Sequence, residues 1–280
     1  MIGEDVMRRN IYDVLKSGSV DLEREYSRLY ELFYCTSINV GFSSDTLEGL
    51  IDDSFDQLNR TLIGRCISLE DFNDTYDYNF EMQPENFDIE YLISFAEYVI
   101  NFLHALWIAN EYLDKKFVHR VIENTLDCME DIGYEALEKE GITIFVKKDV
   151  AADSVAEIVE EKLAYSVLEY NHHALKGDLQ RKKSILKAMA EDIEPQRKNL
   201  NNINKSYSSD LFQLLNKFIR HDTSKNEQIE KLTEEKREEI YDDIYQMWLL
   251  AKLMLDHMER KDKISTLIDY INVNPKENEE

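Results

Sequence analysis

Residues that turn or break a backbone are scarce: the 280-residue chain has 8 glycines and 3 prolines. A fold of many short strands needs turn residues at every corner, so a β-sandwich or barrel is a poor fit. The few glycines are scattered and form neither a P-loop nor a GxGxxG turn that would cradle a phosphate. Cysteine is as sparse. Cys35, Cys66 and Cys128 are odd in number and far apart, with no disulfide-framework or metal-pair spacing. They read as buried free thiols of a cytoplasmic protein in a reducing compartment. The chain also lacks an HExxH motif, an EF-hand loop, a nucleophile elbow and any two histidines four residues apart. His172 and His173 are adjacent, so on a helix they point about 100° apart and cannot share one ion. No metal and no cofactor is expected.

Uninterrupted apolar runs are missing too. The start, "MIGEDVMRRNIYDVLKSG", has no signal-peptide core. The most apolar segment, Tyr91 to Leu113, is interrupted by Glu97, Asn101, His104 and Glu111. That pattern predicts a buried central helix and no membrane association.

What is abundant is helix-forming residues, aromatic residues at 11% with 16 tyrosines, and charge. These predict an all-α helical bundle with one small β-hairpin over about 134–148. Helices are expected over 4–16, 21–35, 44–62 (Ser44 or Asp45 as N-cap), 88–113 and 115–131, the last closed by Gly133. The acidic stretch 68–88 reads as a long surface connection with one short helix. "YEALEKEGITIFVKKD" alternates in its second half and turns at Glu140-Gly141, hence the hairpin. One or two helices follow to Pro195, then a polar link, a helix over 210–221 and a long last helix opened by Thr233 and Lys236. The helices carrying Tyr91–Leu113 and Tyr241–Met258 should be the most buried, with His257 a packing residue. The domains are expected at 1–131 (acidic, helical) and 132–272 (hairpin plus bundle), with an acidic tail at 273–280.

The net charge of −24 is uneven. Residues 1–150 hold 13 Lys+Arg against 31 Asp+Glu, residues 151–280 hold 20 against 26, and the stretch 176–220 alone holds 10 against 5. The acidic half suits a basic protein partner, and the basic island suits RNA. That island ends in "NKFIRHD". Metal-free RNA cleavage needs a group titrating near neutrality and a fixed positive charge for phosphate. His221 would be the general acid or base, Arg220 the phosphate holder, and Asn216, one helical turn earlier, would orient a substrate oxygen. Asn171, His172, Lys176, Lys182, Lys183 and Asp222 are candidate substrate contacts. The competing reading is a helix end whose Arg-His pair complements the helix dipole, with Asp222 starting the turn.

The run "YNHHALKGDLQRKKSILKAMAEDIEPQRKNLNNINKSYSSDLFQLLNKFIRHD", followed by "IYDDIYQMWLLAKLMLDHMERKDKI", resembles the C-terminal region of bacterial abortive-infection (phage-resistance) proteins. Some of these carry helical domains of the HEPN type. The resemblance covers about residues 134–265. It implies a helical bundle, with a homodimer as a candidate assembly, in a defence or toxin-like endoribonuclease setting. None of His104, His119, His172, His173, His221 and His257 follows an arginine at the spacing of the HEPN signature. Two alternatives follow: an active site organised differently, or a scaffold without nuclease activity. In the second, the chain is an interaction module (sensor, antitoxin or nucleic-acid mimic) that binds a basic protein through its acidic half.

Overall fold

The computed structural model describes residues 20–40, 43–220 and 231–273. The helix expected over 4–16, together with His221, Asp222 and tail residues 274–280, lies outside the described residues. The protein is all-α, with two small two-stranded sheets among the described residues. It divides into two compact units, residues 1–145 and 146–280. The division falls inside the second hairpin strand and not ahead of the hairpin.

In the first unit, α1 (Leu22–Tyr30) is capped by Asp21 and runs on as a π-turn, Glu31–Cys35. Besides the expected hairpin there is a second strand pair, β1 (Ile38–Val40) with β2 (Ser43–Asp45), antiparallel with Asn39 opposite Ser44. Because residues 43–45 are extended, the cap of α2 (Leu47–Asp53) moves to Thr46, whose Oγ1 accepts from the Gly49 N–H at 3.1 Å. The single helix expected over 44–62 is broken. After a 3₁₀ turn at Phe55–Gln57, Asn59 is extended and its side chain accepts from the Thr61 N–H, so a new short helix, α3 (Arg60–Ile63), starts there. Ser68 caps α4 (Leu69–Tyr76), and Asp88 caps α5 (Ile89–Ala109) with a 2.8 Å bond from the Tyr91 N–H. The helix α6 (Lys115–Asp131) ends ahead of Gly133, whose φ of 86° lies in the left-handed region. The hairpin β3 (Tyr134–Lys139) and β4 (Ile142–Lys147) turns at Glu140 and Gly141, both at positive φ, as a two-residue turn of primed type requires.

The helix α5 is the axis of this unit. It is the one described helix long and apolar enough to cross a membrane, and most of that apolar stretch is buried within the unit. Phe95, Val99, Phe102 and Leu106 lie in its core. The polar residues that interrupt it have a use. Asn101 Nδ2 donates to the Thr143 carbonyl at 2.7 Å, the Thr143 N–H donates to Asn101 Oδ1 at 2.8 Å, and the Phe145 N–H donates to Glu97 Oε1 at 2.6 Å. Four residues of helix advance about 6.0 Å, and two residues of strand advance about 6.6–6.8 Å. Glu97 and Asn101 therefore match Thr143 and Phe145 in spacing, and α5 closes the outer edge of β4 through side chains.

The second unit holds α7 (Val150–Ala156), α8 (Glu161–Glu169), α9 (Leu179–Ile193), α10 (Arg197–Ile203), α11 (Lys205–Leu214), a π-turn at Leu215–Arg220, and α12 (Glu234–Val273). The expected polar link after Pro195 is helical instead. Asn204 accepts from the Tyr207 N–H at 3.0 Å and so ends α10 and starts α11 in one residue. Thr233 caps α12 as the sequence suggests, accepting from the Lys236 N–H at 3.3 Å. Trp248, Tyr245, Phe212, Met189 and Leu215 fill the core. Two expectations fail on burial. His257 is exposed on α12, because the turns beyond Leu255 leave the core; of the three thiols only Cys66 is buried, Cys35 being exposed at the end of its π-turn and Cys128 half-buried.

Candidate functional site

Arg181, Lys182, Arg197 and Arg220 of the basic island are paired with carboxylates. Arg220 stands at the end of its π-turn, about a quarter exposed, and forms an ion pair with Glu194. Its Nη2 donates to the Ala190 carbonyl at 2.7 Å and its Nη1 to Asn216 Oδ1 at 3.2 Å. Asn216 thus shares a face with Arg220, as its spacing predicts, and orients the guanidinium. Glu194 also faces Arg197, at 3.5 Å, and both guanidinium groups lie over the Phe212 ring, at 4.5 and 5.9 Å. Arg220 thereby locks the π-turn onto the end of α9.

Lys182 is further from a surface phosphate ligand. It is 6% exposed, and its Nζ contacts Asp242 at 2.7 Å and Glu238 at 2.8 Å. Tyr170 supplies a ring 5.2 Å below it and donates its hydroxyl to Asp242 at 2.9 Å. Burial and the facing Asp242 carboxylate push the Tyr170 hydroxyl well above the ordinary tyrosine range. Burial pushes the Glu238 carboxyl up, but the hydrogen bonds from Lys182 and the Gly177 N–H, with the charges of Lys182 and Lys176, outweigh it, leaving the group below its usual value. The Tyr170 ring stacks on Tyr245 at 4.1 Å. Asn171 donates to the Tyr245 hydroxyl at 3.3 Å. These partners come from α12, so the sequence of the island alone does not show them, although Glu238 and Asp242 are one helical turn apart and share a face.

The remaining candidates scatter. His172 is not on a helix. It opens the 3₁₀ turn His173–Leu175, where its Nδ1 accepts from the Ala174 N–H at 3.3 Å, and its backbone bridges to Val146. The two histidine rings lie 4.5 Å apart, so the divergence expected of helical neighbours does not occur. Lys176 is exposed and Lys183 half-buried. His221 and Asp222 lie outside the described residues.

The first unit holds a cavity of about 320 Å³ that the sequence did not announce. Phe72, Tyr76 and Tyr78 from α4 and the turn after it, Tyr98 and Phe102 from α5, and Ile144 from β4 are among its lining residues, with Glu97 and Asn101. The aromatic rings touch one another: Phe72 and Tyr78 stack at 5.8 Å, Phe72 meets Phe102 edge-on at 5.1 Å, and Tyr98 lies 5.4 Å from Tyr78. Phe72, Tyr98 and Phe102 are buried, and Tyr76 is 51% exposed. Burial, then the nearby Glu97 charge, raises the Tyr78 hydroxyl above its usual range. The stretch 68–88, read from sequence as a surface connection, therefore supplies three of these rings, because Tyr76, Tyr78 and Phe72 are close together only after α4 folds against α5. No protein-family model, curated protein or solved structure matches the chain.

Proposed function

We propose that this chain is a non-catalytic helical interaction protein, acting in the phage-defence setting that the resemblance implies and taking a basic protein partner through its acidic first unit. The observation that carries this reading is the fate of the expected phosphate-holding cations: Arg220 is engaged by Glu194, Asn216 and the Ala190 carbonyl, and Lys182 by Glu238 and Asp242. A guanidinium that already meets a carboxylate loses a short, oriented bond if it turns to a phosphate. The first unit, with 11 Lys+Arg against 30 Asp+Glu over residues 1–145, repels nucleic acid and attracts cationic protein. The test is direct. The full chain incubated with RNA in EDTA leaves it intact, and it binds an oligolysine peptide with an affinity that falls steeply with salt. RNA cleavage abolished by His221→Ala would restore the metal-independent endoribonuclease reading and overturn this one.

A further inference from the structure

Leu255 is the last buried residue of α12, and every described side chain from His257 to Asn272 is exposed. That stretch is about 24 Å of helix. A helix of this length is marginal in water on its own, and in proteins most helical stability comes from burying an apolar face. Here Ile264, Ile268 and Ile271 are β-branched and weaker helix formers than leucine or alanine. The apolar face exists but is uncovered. Ile264, Leu267, Ile268 and Ile271 recur at i, i+3, i+4 and i+7 and are between 45% and 61% exposed. Ile264 follows Leu255 by nine residues, about 2.5 turns, so the stripe lies on the side of α12 opposite the one that enters the core. The unit's own core therefore cannot be extended to cover it.

We propose that this stripe pairs, antiparallel, with the same stripe of a second copy of the chain. Pairing across a two-fold axis requires a surface that matches itself. The spacing of the stripe reads the same from either end. An axis between Leu267 and Ile268 sets Ile264 against the partner's Ile271, and Leu267 against the partner's Ile268. The charges select the direction. One helical turn ahead of Ile264, Arg260 continues the same seam and is held by Asp256 at 2.7 Å. A parallel pair sets that ion pair against its own copy inside the seam and strips water from both, a cost that their attraction does not offset. An antiparallel pair leaves Arg260 and Asp256 beyond the partner's Ile271, in water. It also lays the stem of Lys263 beside the partner's Tyr270, an exposed ring whose face suits a cation. Four side chains from each copy fall short of the area of a permanent dimer, so the association is reversible and depends on concentration. It does not involve the acidic first unit and is independent of the basic-partner reading.

The experiment is sedimentation velocity of the full chain from about 1 to 200 µM. The wild type is expected to pass reversibly from one chain to two as concentration rises. Ile264→Lys and Ile271→Glu change exposed positions, so both variants should fold, which circular dichroism checks. Each removes an isoleucine from both ends of the pair and sets a charge against an apolar neighbour, so each alone should weaken association at least about tenfold. Mixed in equal amounts, the two variants should associate again. At one end the new lysine then faces the partner's new glutamate, and at the other Ile271 faces the partner's Ile264. Only antiparallel pairing brings positions 264 and 271 together, so a parallel pair is not rescued by mixing. A wild type that stays single over the whole range overturns the proposal, whatever else covers the stripe. Single variants that associate as the wild type does overturn it too, and so does a mixture that associates no more tightly than its components.

Discussion

Replacing Asn101 tests how the first unit is held together. Asn101 is 8% exposed and Thr143 is 4% exposed, and both polar groups of the Thr143 peptide turn to the Asn101 amide. Asn101→Leu leaves that N–H and that carbonyl buried without partners, at about 1–3 kcal/mol each. The leucine recovers a few tenths of a kcal/mol in helix propensity. The net expectation is a loss of about 2–5 kcal/mol, a large share of a domain's stability. Asn101→Ala differs instructively. Asn101 lines the cavity, so the smaller side chain lets water reach Thr143, and the loss should fall to about 1–2 kcal/mol. The assay is urea denaturation followed through the two tryptophans, Trp107 in the first unit and Trp248 in the second. Only the Trp107 transition should move, and hydrogen exchange of the 142–147 amides should quicken. A leucine variant within about 0.5 kcal/mol of the wild type, below the cost of even one unpaired group, would refute the edge-closure argument.

Further outcomes follow from the same structure. Lys182→Ala leaves Glu238 and Asp242 facing each other, and it should cost about 2–3 kcal/mol in the Trp248 transition, below the value for a fully buried pair because the Asp242 side chain is half exposed; no change would show that the network is decorative. Burial lowers the His104 pKa below its ordinary 6.5, with Glu138 opposing. The folded state then binds fewer protons than the unfolded one, so stability should fall as pH drops below about 6.5, down to the folded-state value, and this slope should flatten in His104→Phe. A variant with the same pH profile as the wild type would remove His104 as its source. Iodoacetamide at pH 8 should modify exposed Cys35 first, while Cys128, pushed up to about 11 by burial and the nearby Glu25 charge, reacts slowly by mass spectrometry; equal rates would contradict its burial. His257→Ala should leave stability within about 0.5 kcal/mol of the wild type, as for other exposed positions.

Periodicity, caps and turn residues operate within a few residues of each other, and what depends on them was legible in the sequence. The helical class, the buried helix from Asp88, the Gly133 stop, the Glu140-Gly141 hairpin turn and the Thr233 cap are all local. So is the sharing of a face by Asn216 and Arg220. Local signals misled where one side chain competed for a backbone N–H, as Asn59 and Asn204 did, converting one long helix into pieces and a polar link into helix. Whether a charged residue is available to a ligand is a different kind of property. Lys182 reads as a surface lysine in its own segment and becomes buried only because Glu238 and Asp242 arrive from α12; Glu194 reaches Arg220 across the turn between α9 and α10. Glu97 and Asn101 read as blemishes in an apolar helix and become the partners of β4 once that strand lies alongside. Composition and spacing determine which backbone forms, because those energies are short-range. The pairing of charges and the walls of a cavity are decided by tertiary packing, because they depend on which distant segment is brought within a few ångströms.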